Sequence, residues 1–214
     1  MNLKLYTGES RLTREGNLSL NLYPYITPPS LAEAVKLAQI LQRPLLVKGE
    51  PGCGKSKLAE AIAAELHGDC FRDYYFEWNI KSSSKAIDGL YIINNLQRLS
   101  DANIKNDEKK NLDIKLNLEA EGIFEISGKY IELGTLGQAF VQTNKEGLSA
   151  PPVILIDEID KADIDFPNDL LLELDRMEFP IPEATDQNGK PVVIKAKQKC
   201  RPIVIITSND EKPL

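Results

Sequence analysis

One octapeptide in the chain has the residue types and spacing that phosphate chemistry needs: Gly49-Glu50-Pro51-Gly52-Cys53-Gly54-Lys55-Ser56. It fits G-x-x-x-x-G-K-[ST], a loop whose main-chain N–H groups converge on phosphate oxygens. Glycines permit that convergence because no Cβ blocks the approach. A helix starting at Lys55 would add its dipole and free amides to the anion site. Lys55 is then placed to reach the β- and γ-phosphates, and Ser56 to ligate Mg²⁺ through its hydroxyl. Lys57 ends the run expected to line the nucleotide.

Two further segments carry polar groups at the ends of apolar runs. Val153-Ile154-Leu155-Ile156 runs into Asp157-Glu158, which puts carboxylates at the carboxyl edge of a sheet, where open α/β folds bind ligands. Asp157 is the candidate for Mg²⁺, held through water. Glu158 is the candidate to orient and activate an attacking water. Ile203-Val204-Ile205-Ile206 leads through Thr207-Ser208 to Asn209. The Asn209 amide offers both donor and acceptor to a γ-phosphate or lytic water.

Elements must be found that bring these three segments together. Leu45-Leu46-Val47 reads as a buried strand before the glycine loop, and 55–66 as a helix with Leu58, Ala59, Ile62, Ala63 and Leu66 on one face. Gly68 fits its C-terminal stop. Strand, glycine turn and helix open an α/β unit. Further strands are expected at 74–78, 129–133, 153–156 and 203–206. A helix over 31–42 follows a capping-box pattern at Ser30-Leu31-Ala32-Glu33. Ser82-Ser83-Ser84 would cap a helix near 85–99. A short helix spans 135–145, and a helical pattern over 161–177 is interrupted near Pro167. Asn188-Gly189 within 186–189 marks the turn of a hairpin over 179–197. The expected organisation is a lead-in over 1–29, packed by Tyr6, Tyr23 and Tyr25, then a nucleotide-binding core over 30–214. That core is interrupted by a polar insertion at about 81–128.

Composition narrows the setting. The 214 residues hold 26 Lys and Arg against 32 Asp and Glu, a net charge of −6, which argues against a duplex-DNA ligand because such proteins need a basic face. The apolar runs are far short of the roughly 20 residues of a spanning helix, and the N-terminus has no signal-peptide core. Cys53, Cys70 and Cys200 lack CxxC spacing and predict reduced thiols in a cytoplasmic protein.

Other reactive types have plainer readings. His67 reads as a helix-end or surface residue and Cys53 as a tolerated small residue. Trp78, Tyr74 and Tyr75 read as core. Lys81, Lys85 and Arg98 read as a solvated face. Asp160, Asp163 and Asp165 read as caps for the next helix.

Taken together, Gly49 to Ser56, Asp157-Glu158 and Asn209 resemble the Walker A, Walker B and sensor 1 elements of AAA+ ATPases. The strings RPLLVKGEPGCGKSKLAEAIAAEL, VILIDEIDKAD and IVIITSNDEKPL resemble the MoxR family of that class. GKYIELGTLGQAF and FPIPEATDQNGKPVVI sit where that family carries its insertions. The resemblance spans roughly 25–214. It implies a P-loop NTPase three-layer αβα sandwich with a mainly parallel sheet of order 5-1-4-3-2, with Lys55, Glu158 and Asn209 as catalytic groups. It also implies ATP as substrate with Mg²⁺, and a homo-oligomeric, often hexameric ring. Such rings remodel or mature partner proteins, frequently with von Willebrand A-domain proteins.

The family pattern continues past sensor 1 into a fifth strand, an arginine finger and a helical lid, which the 214 residues do not include. On that basis the expectation is a truncated core whose first strand is an open edge, binding nucleotide more readily than it turns it over. The alternatives are a nucleotide-binding module without efficient turnover, or a nucleic-acid-directed GTPase of the McrB type.

Overall fold

A computed structural model describes residues 4–9, 22, 24–94, 114–115, 125–126, 131–185 and 190–209. Four strands form a parallel sheet: β1 (Leu45–Gly49), β2 (Tyr75–Asn79), β7 (Val153–Asp157) and β10 (Ile203–Asn209). Their order across the sheet is β1-β10-β7-β2. This is the expected 1-4-3-2 part of the order, with β1 at one edge.

The two faces of the sheet explain its continuous apolar runs. Side chains alternate along a strand, so a strand covered on both faces must be apolar at every position. Val153 and Leu155 of β7, with Ile203 and Ile205 of β10, pack under α2 (Lys55–His67) and α1 (Pro29–Leu41). There they meet Leu58, Ile62, Leu66, Val35, Phe71 and Tyr6. Ile154, Ile156, Val204 and Ile206 point to the opposite core. That layer holds α4 (Thr135–Gln142), α5 (Phe166–Arg176) and the hairpin of β8 (Glu178–Thr185) and β9 (Pro191–Lys195). Each fully buried Leu or Ile contributes about 1.5–3 kcal/mol, so the strand centres are the strongest anchors of the site. The result is a three-layer αβα sandwich, the P-loop NTPase fold that the sequence implied.

The lead-in is tied to both helices of its layer. Glu65 of α2 accepts the Thr7 N–H at 2.6 Å, the Thr7 hydroxyl at 2.8 Å and the Gly8 N–H at 3.1 Å. Gln39 of α1 accepts the Tyr6 N–H at 2.9 Å. Tyr6 is buried and Tyr25 half-buried; Tyr23 lies outside the described residues.

Several local expectations are corrected. α1 starts at Pro29 behind Pro28, with no side-chain cap; the fixed φ of proline prepares the first turn, and the Ser30 box is not used. The helix expected over 85–99 is only α3 (Ala86–Leu90), followed by β3 (Tyr91–Ile93). Lys85, not the serines, stands at its N-cap and its N–H donates to Asp88 Oδ2 at 2.9 Å. The aromatic and β-branched Tyr91-Ile92-Ile93 prefer the pleat and pair antiparallel with β6 (Ile131–Leu133). Residues 95–99 and most of 100–128 lie outside the described residues. Within that stretch β4 (Ile114–Lys115) pairs with β5 (Glu125–Ile126). The 161–177 pattern splits into a 3-10 turn, Ile159–Lys161, and α5. Pro167 falls in the first turn of α5, where proline removes no helical hydrogen bond. The hairpin is present, but its turn at 186–189 lies outside the described residues. Trp78 and Tyr75 are half-buried against the two cores, whereas Tyr74 stacks on His67 instead. Among the described residues no helix is long and apolar enough to cross a membrane.

Candidate functional site

The parallel sheet delivers its functional residues to one edge because every strand points the same way. Register places Gly49 beside Asn209 and Asn79 beside Asp157. The glycine loop leaves β1 at Gly49 and enters α2 at Lys55. Gly52 at φ 80° and Gly54 at φ 90° adopt left-handed backbone that L side chains resist. The Tyr25 ring packs on the loop: a Cβ at Gly54 would stand 3.3 Å from Tyr25 Cε2. Burial, with Cys53 nearby, pushes the Tyr25 hydroxyl above its usual pKa.

Lys55 is a buried cation, 9% exposed. Its Nζ donates to Gly49 O at 2.8 Å, Glu50 O at 2.9 Å and Asn209 Oδ1 at 3.1 Å, with Cys53 Sγ at 4.0 Å. None of these acceptors is a carboxylate. A desolvated ammonium held by neutral oxygens is electrostatically incomplete, and an anion over the loop would complete it. The first amides of α2 face the same space without intrahelical acceptors.

Ser56 Oγ donates to Asp157 Oδ1 at 2.8 Å. Thr207 donates its hydroxyl to the same oxygen at 2.5 Å and accepts the Glu158 N–H at 2.9 Å. A hydroxyl and a carboxylate side by side fit Mg²⁺, which takes few protein ligands and keeps its remaining positions for water and phosphate. Glu158 sits at φ 58°, ψ 50°, a left-handed conformation that is uncommon outside glycine. Lys161 donates to Glu158 Oε2. That bond, together with the Glu158 charge, holds the Lys161 ammonium above the usual lysine range.

Asp160 Oδ1 accepts the Asn209 N–H at 2.9 Å. Burial pushes its carboxyl up, but hydrogen bonds from Asn209, its own main chain and Ser208 outweigh that and hold it below the usual carboxylate range.

The structure thus brings together Gly49, Glu50, Cys53, Lys55, Ser56, Asp157, Glu158 and Asn209, with Pro51, Gly52 and Gly54 in the loop itself. Lys57 turns outward, exposed and ion-paired to Glu60 at 2.6 Å. The expectation that Asp160 caps the next helix is overturned: α5 begins after Asp165, which itself makes no side-chain cap. Thr207 carries no role in the sequence reading, and Asp160 and Tyr25, read there as a helix cap and a packing aromatic, stand at the site instead. The signal for Thr207 was present, as a hydroxyl directly after four apolar residues. Among the described residues all three cysteines are free thiols.

A parallel αβα sandwich with a glycine loop entering a helix through Gly-Lys-Ser, facing an Asp-Glu strand end, defines a P-loop NTPase. The chain belongs to the ATPase family associated with various cellular activities (AAA), whose family model matches residues 45–211. No curated protein matches the chain.

Proposed function

We propose that this chain binds Mg-ATP at the glycine loop and hydrolyses it, and that as a MoxR-type module it uses the cycle to remodel or mature partner proteins. The observation that carries the nucleotide reading is Lys55, a buried ammonium at the mouth of the loop whose acceptors among the described residues are all neutral. In this reading the amides of Gly52 to Lys57 and the Lys55 ammonium take the triphosphate oxygens. Ser56 and Asp157 would hold Mg²⁺, which supplies charge neutralisation between the phosphates. Glu158 turns from Lys161 to accept a proton from water, and Asn209 positions that water or the γ-phosphate.

The finer assignment rests on the strings LLVKGEPGCGKS, VILIDEIDKAD and IVIITSND. The β3–β6 pair and the β8–β9 hairpin, which lie where that family carries its insertions, support it as well. A homo-oligomeric ring, a von Willebrand A-domain partner and a cytoplasmic setting belong to the same proposal.

Calorimetry with Mg-ATP on the wild-type chain and Lys55→Ala tests the nucleotide reading. We expect a loss of affinity on the order of 10²-fold. Equal binding by the two proteins sinks it. Sedimentation with a non-hydrolysable ATP analogue tests the ring, and a monomer at all concentrations counts against it.

A further inference from the structure

We propose that Asp160 is a positioning residue for Asn209, clasping the end of β10 so that the Asn209 amide is presented to Lys55 and the nucleotide; this rests on the nucleotide reading above. The ladder between β10 and β7 ends at the pair Ile206 and Ile156. Beyond it β10 continues for three residues, to Asn209, with β1 on its other side. A strand end that has lost one neighbour frays unless something takes over its N–H groups. Asp160 does so: the 3-10 turn after β7 brings its carboxylate to the Asn209 N–H at 2.9 Å. Asn209 Oδ1 then meets Lys55 Nζ at 3.1 Å. The same turn carries Lys161, bonded to Glu158, so the groups expected to hold the γ-phosphate and to activate water hang from one short segment.

A cap for α5 is the plain alternative for this aspartate, and the geometry excludes it because α5 begins six residues later, at Phe166. Asp160 holds the Asn209 main chain, and the Asn209 side chain is what meets Lys55, so the aspartate acts through Asn209. Misplacing a group by about 1 Å costs about 10²-fold in rate, so a small loss of order at Asn209 is enough to slow hydrolysis without weakening nucleotide binding.

The test compares the wild-type chain with Asp160→Ala, Asp160→Asn, Asn209→Ala and the Asp160→Ala/Asn209→Ala double variant. Three quantities are read: amide hydrogen exchange at position 209 without nucleotide, Mg-ATP affinity, and single-turnover hydrolysis. Asp160→Ala should speed exchange at Asn209 more than about tenfold and slow hydrolysis about 10–10²-fold. Its Mg-ATP affinity should stay within about threefold, because the loop contacts persist. Asp160→Asn keeps an oxygen acceptor and should restore both exchange and rate. The double variant should be no slower than Asn209→Ala alone, since both remove one device. An unchanged rate in Asp160→Ala, an additive double variant, or Asp160→Asn as slow as Asp160→Ala overturns the proposal. A wild-type chain that binds no Mg-ATP overturns the nucleotide reading instead. That failure is told apart because the exchange measurement needs no nucleotide.

Discussion

Ser56 and Asp157, 101 positions apart in sequence, meet at the carboxyl edge of the sheet with the serine hydroxyl donating to Asp157 Oδ1 at 2.8 Å. The bond aligns an alcohol oxygen and a carboxylate for one cation. Ser56→Ala and Asp157→Asn are therefore expected to reduce the Mg²⁺-dependent part of ATP affinity by about 10–100-fold. Binding of ATP in chelator should change little. Mg²⁺ titrations with a fluorescent ATP analogue check this, and equal losses with and without Mg²⁺ would contradict it.

Glu158→Gln keeps the size and left-handed backbone site of the residue but removes its basicity. Nucleotide affinity should hold while turnover falls about 10²–10⁴-fold. Bound ATP should then be recovered unhydrolysed after rapid gel filtration. Recovery of ADP at the wild-type rate would remove Glu158 from the mechanism.

His67 closes α2, with its Nε2 2.9 Å from Pro151 O and its ring stacked on Tyr74 at 4.3 Å. Burial lowers its pKa below 6.5; the Pro151 bond opposes this, and Lys4 adds to the lowering. The unfolded chain then binds a proton more readily than the folded one. Its stability contribution is complete above pH 6.5 and is lost as pH falls toward the folded value. Urea unfolding between pH 7.5 and 5.5 should show stability falling with acid, and His67→Gln should flatten that slope. A slope that His67→Gln leaves unchanged would assign it to other groups.

Gly134, with an ordinary φ of −69°, is required by space alone. A Cβ there would lie 2.2 Å from Asp88 O and 2.5 Å from Gly89 C, where the start of α4 passes over α3. Gly134→Ala should cost about 1–3 kcal/mol, seen as a lower urea midpoint. A midpoint equal to wild type would show that the two segments separate freely.

The parts legible in the sequence are those where one physical requirement dominates. The loop from Gly49 to Ser56 is readable because phosphate contact demands glycine, lysine and hydroxyl at fixed spacing. β7 and β10 are readable because burial on both faces demands unbroken apolar residues. Asp160 was not readable, because its partner Asn209 stands 49 positions away and only the sheet order brings them together. The end of the helix expected near 85–99 is not legible because Tyr91-Ile92-Ile93 is apolar in either period. Pairing with Ile131–Leu133, far along the chain, decides its conformation.

The parallel crossing of β1 with β10 has a bearing on biosynthesis. Lys55 acquires its Asn209 neighbour only across 154 residues. Contacts so distant in sequence form slowly and late. A ribosome will therefore have added the 154 residues that separate the two before the nucleotide loop finds its walls. Until then the apolar strand Leu45-Leu46-Val47 is left to whatever chaperone shelters it.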